Sequence, residues 1–139
     1  MKKIITIMCT VLLATLVALP TSVIASDKKT LQVVIHDTGP ETASATDRKT
    51  FGPFDVSGFR EVRVYVHTSA ATSPQEVASV SVMSDVGGSP AFLDHFFLEP
   101  HSTANFLYST MGPAITIEVG EGVGAGGVIA FRLILFGSQ

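Results

Sequence analysis

The chain has 139 residues, with nine Lys plus Arg, twelve Asp plus Glu, four His, no Trp and a formal net charge of −3, which is room for one ordinary domain. All twelve acids lie beyond position 26 while Lys2 and Lys3 open the chain, so loss of a leader carrying both lysines takes the charge from −3 to −5. That balance argues against a nucleic-acid binder.

Met1, Lys2 and Lys3 form a basic start, Ile4 to Leu19 carries no charge, and Pro20 ends the run. This is the pattern of a signal peptide, and Val23-Ile24-Ala25 offers the peptidase a β-branched residue at −3 and Ala at −1. We therefore expect residues 1–25 to be a cleaved signal peptide and 26–139 to be a single exported domain, periplasmic or extracellular, beginning at Ser26. The apolar leader is short for a span of about 30 Å of hydrocarbon. The later segment Val128 to Phe136 is shorter still and contains Arg132, so no membrane span is expected after cleavage. The single cysteine, Cys9, lies in the leader, which excludes disulfides, thiol nucleophiles and Cys-based zinc sites from the expected domain.

Beyond a short tail from Ser26 to Thr30, the periodicity is close to 2 and no helical stripe is convincing. Leu31, Val33 and Ile35 alternate with Gln32 and His36, and Phe51 to Phe54 is a short piece broken by Gly52-Pro53. Val62, Val64 and Val66 alternate with Glu61, Arg63, Tyr65 and His67 in the cleanest strand of the chain. Val80 and Val82, then Phe92 to Leu98, Asn105 to Ser109, Ile115 to Val119, and Ile129 to Leu135 complete eight candidates. Gly and Pro punctuate them at Gly39-Pro40, Ser57-Gly58, Ser73-Pro74, Gly87-Gly88-Ser89-Pro90, Glu99-Pro100, Gly112-Pro113 and Gly120 to Gly127. The polar stretch Thr38 to Thr50 has the composition of a surface loop. Half-buried alternation favours antiparallel strands with one face on the core. The expected fold is all-β, a two-sheet antiparallel β-sandwich of about eight strands, for which a jelly roll is the fitting topology.

Little of this chain has the pattern of chemistry. Gly122-Val123-Gly124-Ala125-Gly126-Gly127 matches G-x-G-x-x-G, but a period-2 strand follows it where a dinucleotide fingerprint needs a helix. His36, His67, His95 and His101 show no H-x-H spacing that would put two ligands on one strand face. No G-x-S-x-G elbow activates a serine, and Asp37 and Asp85 precede Gly-containing turns that ordinary Asp capping explains without calcium. We expect no enzyme, no metal and no cofactor. Most of the nine phenylalanines stand among aliphatics and are expected in the core.

If Val62, Val64 and Val66 face inward, Glu61, Arg63, Tyr65 and His67 form a polar and aromatic ladder on the opposite face. Arg63, Tyr65 and His67 are the candidate ligand-binding residues, as a ligand face or as a solvated sheet surface. The reading is a small exported non-catalytic protein that works by binding or assembly, its ligand or protein partner unspecified. One alternative is a structural subunit of a homo-oligomeric surface assembly, since Val128 to Phe136 has apolar residues on both faces, including Ile134. A carbohydrate-binding module is the second alternative, although Trp, the usual stacking platform, is missing.

Overall fold

The computed structural model describes residues 31–73, 75–109, 112–122 and 126–139. Residues 1–30, where the expected signal peptide and tail fall, and residues 123–125 of the glycine-rich tract lie outside them. The described residues contain nine strands: β1 (Gln32–Asp37), β2 (Glu41–Ser44), β3 (Lys49–Asp55), β4 (Glu61–Ala71), β5 (Ala78–Val86), β6 (Ser89–Leu98), β7 (Thr103–Tyr108), β8 (Ala114–Glu121) and β9 (Val128–Ser138). Sheet A runs β1-β9-β4-β7, with β2 also paired to β9, and sheet B runs β3-β8-β5-β6. All pairings are antiparallel.

The pairings are nested. β5 and β6 form the inner hairpin, β4 pairs β7, β3 pairs β8, and β1 and β2 pair β9. Folding that long hairpin over brings β9 beside β4 and β8 beside β5, which is the expected jelly-roll path. The ninth strand corrects the reading of Thr38 to Thr50 as a loop, because β2 and the start of β3 lie within it. β1 and β2 occupy successive stretches of the same edge of β9, so they fill one position of an eight-strand plan. Between them Gly39 takes a φ of 67° and Pro40 offers no donor. Thr38 bridges the gap, its N–H donating to the Leu133 carbonyl and its Oγ1 accepting from the Leu133 N–H, each at 3.0 Å.

Alternation decides what is buried. Val62, Val64 and Val66 of β4, beside Leu133 and Leu135 of β9 in the same sheet, share the core with Ile115, Ile117 and Val119 of β8 and Val80 and Val82 of β5 in the other, each burial worth about 1.5–3 kcal/mol. The expectation for phenylalanine holds in part. Phe131 is buried and Phe51, Phe54, Phe59, Phe96 and Phe106 pack against the core, but Phe92 and Phe97 are exposed on β6.

Aromatic contacts fix how the open edges stack. The Phe96 ring on β6 lies 4.3 Å from Phe106 on β7, and the Tyr108 hydroxyl donates to Asp94 at 3.2 Å. Burial, with Asp94 adding to it, pushes the Tyr108 hydroxyl well above its ordinary range. On the other side His36 of β1 lies 4.7 Å from Phe54 of β3. β6 and β7 therefore form one lateral edge of the sandwich, with β1 and β3 at the opposite one.

Candidate functional site

Register places the three candidate residues on the outer face of sheet A. Arg63 stands between Phe136 of β9 and Leu107 of β7, Tyr65 between Ile134 and Asn105, and His67 between Arg132 and Thr103. In a pleated sheet such cross-strand neighbours share a face. All three are half-buried rather than fully solvated. His67 Nδ1 and Thr103 Oγ1 are 3.0 Å apart, and Arg132 is occupied by Asp37, with Nε to Oδ1 at 2.9 Å and Nη2 to Oδ2 at 2.6 Å.

The three do not share one concavity. A hollow of about 190 Å³ lies at the Arg63 end, lined by Gln32, Glu61, Arg63, Leu107, Phe136 and Ser138, while Tyr65 and His67 stand on the open ladder beside it. Arg63 Nε is buried and has no hydrogen-bond partner among the described residues. The Ser138 hydroxyl lies 3.4 Å from both the Glu61 carbonyl and its carboxylate. Gln32 and Ser138 escape sequence reasoning because they reach the hollow from other strands, and only the register of β1 and β9 brings them to β4.

The four histidines do not converge. His36 packs on Phe51 and Phe54, His67 is on sheet A, His95 is on the outer face of sheet B, and His101 sits in the β6–β7 connection with a φ of 59°. His95 Nε2 lies 2.9 Å from Ser79 Oγ, which is within reach of a base and a nucleophile. However, Ser79 is only 4% exposed, and Asp94 accepts from the His95 backbone N–H and the Tyr108 hydroxyl, not from the imidazole as an orienting carboxylate would. The contact fixes the His95 ring, against which Phe97 packs edge-on at 4.9 Å.

Asp37 caps the turn to Gly39 by accepting its N–H at 2.9 Å, as turn chemistry predicts, and also binds Arg132. Among the described residues no group of three or more His, Cys, Asp or Glu side chains is placed to hold a metal ion. Two carboxylates at the far end of the sandwich are buried. Glu76 accepts from Thr72 Oγ1 and the Ser73 N–H, whereas both carboxylate oxygens of Glu121 lack a hydrogen-bond partner among the described residues.

β6 presents a second feature. Phe92 is 73% and Phe97 54% exposed, and Leu93 is exposed between them, along a strand paired on one side alone. Across the sandwich Leu31, 64% exposed, and Val33 and Val34 of β1 repeat the pattern. No helix among the described residues is long and apolar enough to cross a membrane.

No family model and no curated protein matches the chain. Among solved structures, the chain is similar to one from Bacillus endospore appendages, described as forming a novel family of disulfide-linked pili. The two share 15% identity and a TM-score of 0.50 over 79% of this chain and 90% of that one, a likeness of fold.

Proposed function

We propose that this chain is a structural subunit of a homo-oligomeric assembly at the cell surface, working by association of copies rather than by catalysis. The observation that carries the reading is the placement of exposed large apolar side chains on open edge strands at opposite sides of the sandwich. Phe92, Leu93 and Phe97 lie on β6, and Leu31, Val33 and Val34 lie on or beside β1. Monomeric β proteins blunt such edges with charge, proline or bulges. β6 has Pro90 near its start and a register irregularity at Leu93, and β1 has one at Ile35, yet Phe92, Leu93 and Phe97 stay exposed and the one acid of β6, Asp94, is held by Tyr108. Sticky edges on opposite sides favour a head-to-tail contact, which repeats without closing and builds a chain of subunits.

The likeness to an appendage subunit supports the same reading, and with it an extracellular location. The chemistry that joins copies would differ, because residues 10–139 contain no cysteine. Burial of the edge aromatics and backbone pairing would have to supply the contact. Size-exclusion chromatography with light scattering and negative-stain microscopy on protein beginning at Ser26 tests this. Concentration-dependent multimers are expected, with Phe92→Asp combined with Phe97→Asp reverting them to monomers of unchanged fold. A wild-type protein that stays monomeric at high micromolar concentration would overturn the reading.

A further inference from the structure

We propose that His95 makes the assembly sensitive to pH, letting copies associate while its imidazole is neutral and separating them when it is protonated. This regulation rests on the assembly reading above and acts on the same surface.

Register sets a histidine in the middle of the apolar surface. Along one face of β5, Met83, Ser81 and Ser79 stand opposite Phe92, His95 and Phe97 of β6, so these three side chains form a row on the outer face of sheet B. Met83 and Ser79 are four residues apart, which spaces the two phenylalanines by about 13 Å with His95 between them. Phe97 packs edge-on against the imidazole at 4.9 Å, and Phe92, Leu93 and His95 line one depression with Ser81 and Asp94. A neighbouring copy that covers both phenylalanines also covers His95, which is exposed in the free subunit.

Protonation decides what that covering costs. Histidine is the side chain that ordinarily changes charge between pH 5 and 8. When the imidazole is neutral, Nε2 is engaged by Ser79 Oγ at 2.9 Å, and the ring is otherwise one aromatic among others. Protonation makes both ring nitrogens donors. Ser79 takes one, and the Nδ1 of His95 makes no hydrogen bond among the described residues. Water serves that second donor in the free subunit, and a covering copy removes the water and leaves a charge without compensation.

The surrounding charges do not offset it. Asp94 is next in sequence but stands opposite Val82 on the other face, where it accepts from the Tyr108 hydroxyl as well as from the His95 backbone N–H. Glu118 of β8 shares a row with Ser81 and His95, two strand spacings or about 10 Å away, and is paired with Arg48. Asp85 lies toward the far end of β5, opposite Pro90, and Glu99 follows the end of β6. On the opposing edge Leu31, Val33 and Val34 bring no carboxylate, and Asp37, the one acid of β1, is bound to Arg132.

The sign separates this device from a general charge effect. Residues 26–139 carry seven Lys plus Arg against twelve Asp plus Glu, a formal charge of −5. Mild acid reduces that charge and the repulsion between copies, which favours association. A protonated His95 opposes it.

Sedimentation velocity of protein beginning at Ser26, at pH 7.5 and 5.5 and equal ionic strength, reads the association constant, with circular dichroism recorded at both values. The wild type is expected to associate about tenfold more weakly at pH 5.5, the loss for one histidine of ordinary value near 6.5 that must give up its proton. His95→Gln, polar but never charged, is expected to associate equally at both values, and His101→Asn to keep the wild-type fall. Equal or tighter wild-type association at pH 5.5 overturns the proposal, as does a fall that persists in His95→Gln or one that accompanies loss of the β-sheet signal. A wild type that is monomeric at pH 7.5 overturns the assembly reading itself, and this regulation with it.

Discussion

Arg132 on β9 grips Asp37 on β1 through two parallel hydrogen bonds, at 2.9 and 2.6 Å, and so ties the first described strand to the last across the outer face of sheet A. Together with the Gly39 N–H, the guanidinium lowers the Asp37 carboxyl to about 2, against about 3.9 for a free aspartate. A carboxyl lowered by folding stabilises the fold above the unfolded value, and that contribution is lost as pH falls through the folded one. Melting temperatures of the wild type and Asp37→Asn should therefore differ above about pH 4 and converge toward about pH 2. The gap should be modest, because the pair is solvent-exposed. A gap that stays constant across the acid range would show that ionisation of Asp37 is not its source.

Val64 and Tyr65 are adjacent on β4 and face opposite ways, Val64 into the core and Tyr65 toward Ile134 and Asn105. Val64→Ala should cost on the order of 1 to 3 kcal/mol through lost burial and the cavity left behind. Tyr65→Ala should cost less, since Tyr65 is only half-buried and no second layer covers the outer face among the described residues. Urea denaturation of both variants compares them directly. Equal losses would mean that the Tyr65 face is covered.

Thr68 lies beneath the β6–β7 connection, fully buried, with its hydroxyl 2.5 Å from the Glu99 carbonyl and 3.0 Å from the Ser102 N–H. Thr68→Val keeps the shape and strands both backbone groups, at a cost of about 1–3 kcal/mol. Thr68→Ser, which keeps the hydroxyl, should retain more stability. Reversal of that order in chemical denaturation would show that the methyl group, not the hydroxyl, anchors the connection.

Glu121 is 4% exposed and its two carboxylate oxygens have no hydrogen-bond partner among the described residues. A buried carboxyl in that state is a debit to folding, so Glu121→Leu should raise stability by about 1 kcal/mol or more, read as a higher urea midpoint. A lower midpoint would mean that the carboxylate acquires a partner in solution.

The strands that alternate cleanly were legible because both neighbours of a central strand enforce burial on one face. β4, β8 and β9 are the examples, and Arg63, Tyr65 and His67 fall on the outer face for the same reason. β2 was not legible. It is four residues long, and Ala43 is its one buried apolar side chain, so edge pairing with β9 holds it and no hydrophobic pattern records that. The exposed ring of Phe92 failed in the opposite sense. Leu93 interrupts the register between β5 and β6, and the residues before and after that irregularity no longer keep a common alternation. The hollow escaped because it is assembled from β1, β4, β7 and β9, whose register no single stretch of sequence contains.

The nested pairing also sets an order of events in time. β9 lies between β4 on one side and β1 and β2 on the other, yet it follows all of them in the chain. A chain emerging from a ribosome N-terminus first therefore has the flanks of sheet A long before its centre. Contacts this distant in sequence form slowly, and until Val128 to Ser138 emerges the sheet has no middle to close upon. Until then β4 lacks one of its two neighbours and the β1 edge has no partner, so the apolar side chains of both strands stay uncovered for that interval.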